Sequence, residues 1–471
     1  MSYKKNIFII CCLGFLISAF STAIYVNKYD KLNIYKENTI EHKMIKIAVV
    51  NHWEEANIIL KQLKRGTSIF NIKNDHFDEY LPPRLLALYY YFSDHEMYDE
   101  NNNIKLNNGK FFYLILKSLL YFFSLFFLFY KMSNEINQRY AFWTVCFLAF
   151  VPDLVQYHSS FWNESIFLSL QVVLLALLIK PSIKFLKNFL IGFVCCLMFL
   201  TSQEFILFFL VISFYYLISF KKFFFIPLSF FAIGFLFIIL LIHTKSSQDQ
   251  KNQDVSIFGI KTAMYFTLVP EMISQKENIS ISQAKKSLDF DTKVWIKKKK
   301  IAFHFNEDEN LFTNFHQIDN KNKNLILNRI FKVSIEKITS DPAIAGKIVF
   351  RKTISTLLLN PFYVNFFHKH PGRGEYNYYD SNDRKAFVKY RILYSIFFYL
   401  TIAIGIFLSF KHLNKKLIFF LILGSIYSPI TIGWLGNSRY FLPSIVFLSP
   451  FAGLAMMSFA NFFYKKNSKD F

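Results

Sequence analysis

Apolar runs alternate with short polar connections along most of this chain. Residues 7–26, 111–130, 140–157, 161–179, 188–202, 205–220, 223–243, 390–410, 417–433 and 440–462 are apolar and nearly free of charge. Runs of about 20 such residues cross a bilayer as helices, because each segment then satisfies its own backbone N–H and C=O groups. The pattern predicts an all-α polytopic membrane protein of about ten transmembrane helices. Two long polar stretches interrupt it, 27–110 and 244–388.

Charge then gives the pattern a direction. Alternate connections carry Lys4 and Lys5, Lys131 and Arg139, Lys180, Lys184 and Lys187, Lys221 and Lys222, Lys411, Lys415 and Lys416, and Lys465, Lys466 and Lys469. The intervening connections at 153–160 and 203–204 carry no Lys or Arg, and 434–439 carries only Arg439. Basic flanks stay on the cytoplasmic side. One orientation fits: both termini cytoplasmic, two large loops outside. The chain thus divides into an N-terminal membrane module 1–243 with its loop 27–110, a second outer loop 244–388, and C-terminal membrane helices 389–471. Residues 1–26 also have a signal-like layout ending in Ser21-Thr22-Ala23, but the long apolar run favours a retained helix.

The outer loops have helical rhythm of their own. In 47–65, Val49, Trp53, Ala56, Leu60 and Leu63 recur at spacings of three and four, which predicts a helix in the membrane interface. Pro82-Pro83 is expected to interrupt the chain before a short apolar stretch, Leu85 to Phe92. The second loop predicts a polar opening at 244–256 and helices near 257–274, 282–300 and 321–339. Another helix begins after Ser340-Asp341-Pro342, with Asp341 as N-cap and proline in the first turn. Its Ile344, Ile348 and Leu357 alternate with Lys347, Arg351 and Lys352, a mixture suited to a lipid surface. Residues 369–384 read as a polar loop.

Composition narrows the function classes. Of 471 residues, 53% are hydrophobic and 60 are Phe, too apolar for an ordinary soluble domain of this length. The net charge of +22 comes largely from lysines flanking apolar runs, so nucleic acid is not an expected partner. Cys11, Cys12, Cys146, Cys195 and Cys196 all lie in apolar runs and predict no exported disulfide framework. No metal quartet, P-loop or dinucleotide fingerprint is present. Gly14-x-x-x-Ser18 is too weak a pattern to mark helix pairing.

The candidate chemistry sits at the outer ends of the spans. Glu55 flanks the apolar stripe of the first-loop helix, while Glu54 projects further towards solvent. Asp78 and Glu79 precede the stiff Pro82-Pro83 pair. Asp153, His158 and Glu164 line the connection before the span at 161–179, and Glu204 lies between two later spans. Arg439, followed by Tyr440, is a lone outer guanidinium with the planar fork that binds a lipid phosphate.

Taken in order, these features resemble the GT-C superfamily of polytopic glycosyltransferases. The likeness is to the branch holding protein O-mannosyltransferases and the aminoarabinose transferase of lipid A. It rests on Asn51-His52-Trp53-Glu54-Glu55-Ala56 with Gly66 downstream, and on Phe77-Asp78-Glu79-Tyr80-Leu81-Pro82-Pro83. It also rests on Trp162-Asn163-Glu164-Ser165, on Ser340-Asp341-Pro342 and on the closing Arg439-Tyr440-Phe441-Leu442-Pro443. Counting back from Gly66, the family's first catalytic acid falls near Asn51, which cannot act as a base. Glu55 or Glu54 is left for that role.

The resemblance implies a location in the cell inner membrane with periplasmic loops. It implies a lipid-linked sugar donor, contact with membrane lipids, and a lipid, glycan or protein acceptor. Glu55 or Glu54 would take the acceptor proton, and Asp78, Glu79, His158, Glu164, Arg439 and Tyr440 would bind substrate. Some relatives use a divalent metal, for which Asp78, Glu79 and Glu164 offer oxygen ligands; the cofactor stays open. Two other readings remain. A transporter or flippase of a lipid-linked glycan needs polar groups in mid-span, where Gln171 is the main one. A polymerase of the O-antigen type would use outer-loop His304, His316, His368, His370 and Arg373.

Overall fold

The computed structural model describes residues 3–31, 55–69, 80–93, 95–97, 108–158, 164–202, 205, 208–245, 264–301, 320–358, 381–432 and 441–467. These residues are all-helical, with no strand among them. In chain order the helices are α1 (Tyr3–Lys31), α2 (55–64), α3 (Leu81–Ser93), α4 (Asn108–Glu135), α5 (Gln138–Phe150), α6 (Pro152–His158), α7 (Glu164–Leu178), α8 (Phe185–Thr201), α9 (Phe208–Phe220) and α10 (Phe225–Lys245). The second loop and C-terminal part supply α11 (Val269–Glu277), α12 (Ile281–Lys298), α13 (Asn320–Ser340), α14 (Pro342–Leu357), α15 (Ser381–His412), α16 (Lys415–Ile432) and α17 (Leu442–Asn467).

Among the described residues four segments are long and apolar enough to cross a membrane: Lys5–Ala23, Phe111–Glu135, Lys389–His412 and Leu442–Phe463. Shorter apolar helices cover Ser165–Leu178, Phe185–Thr201 and Phe225–Leu240. Apolar length in the sequence therefore exceeds helix length in several places. The run at 140–157 is cut at Val151-Pro152, where Pro152 starts the separate short helix α6. Proline lacks the N–H that would continue the ladder, so a break there follows directly.

The largest core joins residues of α1, α4, α5, α7–α10 and α15–α17. Small residues let its helices approach. Gly14 lies against Phe122 and the Ala149 carbonyl, and the Ser18 Oγ is 2.9 Å from the Ser118 Oγ. The face that looked too weak to mark helix pairing is thus the one α1 packs through. Polar contacts sort to two ends of this core. At one end the basic connections meet: Lys180 Nζ lies 2.8 Å from Glu135, and Lys416 Nζ donates to the Ser219 carbonyl at 3.0 Å. At the other, Arg391 and Gln171 reach the carbonyls of Ser355, Leu358 and Pro443.

Two smaller cores belong to the loops. In the first, Ala56, Ile59, Leu60 and Leu63 pack on Leu86, Ala87 and Tyr90 of α3 and on Tyr113 at the start of α4. Pro82 and Pro83 fall in the first turn of α3, so they open that helix instead of interrupting the chain. In the second, Tyr265, Val269, Leu288, Ile296 and Ile330 form a core, and its Tyr265 hydroxyl donates to the Leu288 carbonyl at 2.7 Å. Asp341 occupies the N-cap position of α14 but caps nothing. Its carboxylate instead accepts from Lys276 Nζ at 2.5 Å, which ties α14 to α11.

Candidate functional site

Glu55 is the predicted carboxylate that the structure describes best. It is 5% exposed, on the face of α2 that meets α3. The helical stripe explains why: Glu55 shares the side of the helix that carries Ala56 and Ile59. Arg84, also buried, lies in the first turn of α3, near enough for the Glu55 charge to act on it. The Arg84 guanidinium lies 3.4 Å above the Tyr80 ring, and its Nη1 donates to the Tyr80 carbonyl at 3.1 Å. Burial lowers the Arg84 pKa, while Tyr80 and then the Glu55 charge oppose that shift. Arg84 was missed in the sequence. Its signal was position, one residue after the proline pair and on the helix that faces α2.

Below this pair α4 carries further polar groups into the bundle. Lys117 is 5% exposed, with its Nζ 5.6 Å from the centre of the Tyr113 ring. One turn deeper, Tyr121 stacks on the His158 ring at 3.8 Å. His158 is 1% exposed, and neither ring nitrogen has a hydrogen-bond partner among the described residues. Burial, and secondarily the Lys117 charge, push its pKa well below the usual 6.5. His158 is therefore neutral at pH 7. An unfolded chain binds a proton at this residue below about pH 6.5, whereas the folded one does not until much lower pH. Stability from this site is present above pH 6.5 and is lost as pH falls towards the folded value. Replacing His158 with Phe keeps the ring stack and should flatten that acid-side decline in melting temperature, measured in detergent.

A second buried cluster centres on Asp153 at the start of α6. Tyr394 and Arg391 of α15 lie near its carboxylate, and Arg391 brings an opposite charge. Arg391 also caps α14, with Nε to the Leu358 carbonyl at 2.9 Å and Nη2 to the Ser355 carbonyl at 2.7 Å. Helix C-termini leave such carbonyls without intrahelical partners. Replacing Arg391 with Met removes the cation shared by Asp153 and these carbonyls. A loss of roughly 3–5 kcal/mol is expected on breaking a buried pair. Adding Asp153→Asn to that variant should cost less than the separate effects summed, as read by a denaturation cycle.

Arg351 and Lys352, basic residues of the helix suited to a lipid surface, meet a carboxylate instead. Both pair with buried Glu271, Lys352 Nζ at 2.9 Å, and Lys352 also reaches the Thr267 carbonyl at 3.3 Å. Burial lowers the Lys352 pKa, and Arg351 lowers it further. Gln171 of α7 donates to the Pro443 carbonyl at 2.8 Å, joining α7 to the first turn of α17.

Glu54, Asp78, Glu79, Glu204, Arg439, Tyr440 and the side chain of Glu164 lie outside the described residues. So do the outer-loop His304, His316, His368, His370 and Arg373. Among the described residues no three His, Cys, Asp or Glu side chains converge as metal ligands do. A small apolar pocket between α8, α9 and α10, lined by Cys195, Met198, Phe205, Phe208, Phe209, Phe231 and Phe235, holds no charged side chain. No protein-family model matches the chain, and no curated protein matches it either.

Proposed function

We propose that the chain is an integral-membrane glycosyltransferase. It moves a sugar from a polyprenyl-phosphate donor to a lipid, glycan or protein acceptor at the outer face of the cell inner membrane. In this reading about ten helices cross the bilayer and both termini are cytoplasmic. The sorting of basic connections to one end of the core, away from Glu55, Asp153 and Gln171, supports that orientation.

The observation that carries the reading is a buried carboxylate, Glu55, within electrostatic reach of the buried Arg84 guanidinium, on loop helices packed against the start of α4. Glu55 takes the proton of the acceptor hydroxyl, whose oxygen then bonds the anomeric carbon. The bond from that carbon to the phosphate oxygen breaks, and the phosphate departs with the electron pair. Arg439, assigned from its sequence motif, stabilises that developing charge. If the enzyme uses a divalent metal, Asp78, Glu79 and Glu164 would supply its oxygen ligands and the metal would share the phosphate charge.

A second reading, transport or flipping of a lipid-linked glycan, is favoured by one observation. Lys117 is buried within the span Phe111–Glu135, and ionisable groups at such depth mark substrate paths. Purified protein incubated with labelled polyprenyl-phosphate sugars separates the two. Transfer of label to an acceptor supports the transferase; translocation of an intact lipid-linked glycan in vesicles, without transfer, supports the flippase.

A further inference from the structure

Helix α14 has two unlike faces. Ala345 and Ile348 are buried against Leu268 and Met272, with Lys352 turned towards Glu271 beside them. On the opposite side Phe350 is 70% exposed and Ile354 is 45% exposed, four residues apart and therefore on one stripe. Lys347, also exposed, lies one turn before Phe350. The helix contains Lys347, Arg351 and Lys352 and no carboxylate.

Its C-terminus is fixed at a known level. The Arg391 side chain holds the carbonyls of Ser355 and Leu358, and the Tyr399 hydroxyl donates to the Leu357 carbonyl at 2.7 Å. Arg391 and Tyr399 both belong to the span Lys389–His412, eight residues or about 12 Å apart along it. Leu357 itself packs on the main membrane core. At 1.5 Å per residue, Ile354 lies about 5 Å and Phe350 about 10 Å from that anchor, whichever way the helix runs. An exposed apolar stripe is thus pinned beside the outer part of a span.

We infer that the second half of α14 is embedded in the outer headgroup layer, with Phe350 and Ile354 among acyl chains and Lys347 at the phosphates of anionic phospholipids. An amphipathic helix with a cationic flank has the chemistry for that surface. The occupant is the bilayer, not another segment of the chain or a second copy, because the anchor sets this stripe at membrane level. This goes beyond the transferase reading and takes from it only the sidedness of the helices: loss of sugar transfer leaves the inference untouched.

The test places a benzophenone-bearing phenylalanine at position 350, and separately at 354, in the full chain. The protein is illuminated in nanodiscs of phosphatidylcholine, with or without phosphatidylglycerol, and weighed intact. Adducts with the mass of one phospholipid at either position are expected. Cross-links within the chain, cross-links between two copies, or the absence of adducts from folded protein would each overturn the inference. In mixed nanodiscs Lys347→Glu should lower the phosphatidylglycerol share of the adducts about fivefold. An unchanged share would overturn the headgroup assignment.

Discussion

Replacing Gly192 or Gly234 with Leu should abolish folded protein. These two glycines form a reciprocal contact between α8 and α10. A Cβ on Gly192 would sit 2.0 Å from the Phe231 carbonyl oxygen, and one on Gly234 would sit 2.0 Å from the Phe189 carbonyl oxygen. Both obstacles are backbone, which cannot rotate away as a side chain can. The helices would have to separate, and the apolar packing around Phe231 would open with them. Helices in lipid gain no hydrophobic drive from the tails, so close packing at small residues carries much of their association. A cost of roughly 4 kcal/mol or more is expected, at the extreme of single-residue effects. Size-exclusion in detergent should show aggregate in place of a single peak. Gly346 in α14 is the control. Nothing lies within 4 Å of a Cβ there, so Gly346→Ala should be neutral or stabilising by up to about 1 kcal/mol. Equal behaviour at all three positions would mean that the α8–α10 crossing is not as close as described.

That crossing marks where sequence reading stops. Apolar periodicity made the helical class legible, and a 100° projection placed Glu55 beside the apolar stripe that proved to be buried. Such patterns depend only on neighbours along one helix. Gly192 and Gly234 lie far apart in sequence, so neither could be assigned a role before α8 and α10 were seen together. The same holds for charge. Lys117 went unremarked in a run nearly free of charge, and only the positions of Tyr113 and His158 give it surroundings. Asp341 read as a helix cap because local rules favour it, yet Lys276 from another helix claimed the carboxylate. Arg351 and Lys352 went to Glu271 in the same way. Proline was misread at Pro82-Pro83, where the missing N–H suits a first helical turn as well as a break. The candidate site was less legible than the fold, since it is made of long-range pairs.

If Glu55 is the base, Glu55→Gln should reduce sugar transfer by about 100-fold to 10,000-fold, the usual contribution of a positioned general base. Gln keeps the shape and can still hydrogen-bond, but it cannot accept the acceptor hydroxyl's proton. The fall should appear in kcat with little change in KM, because the proton moves only in the transition state. Arg84 makes the control informative. Its guanidinium is buried, and the Glu55 charge is one of the features that keep it protonated. Neutralising Glu55 should therefore also cost some stability, about 1–3 kcal/mol for a buried group that loses a charged partner. Arg84→Gln shares that structural loss while leaving the carboxylate in place. Folding effects alone would lower activity equally in both variants. A base at Glu55 instead predicts a much deeper fall in Glu55→Gln, with melting temperatures that match. Should Glu55→Gln retain full transfer while Glu54→Gln or Glu79→Gln loses it, the base lies elsewhere on the first loop, and the Glu55–Arg84 pair holds α2 on α3 without doing chemistry.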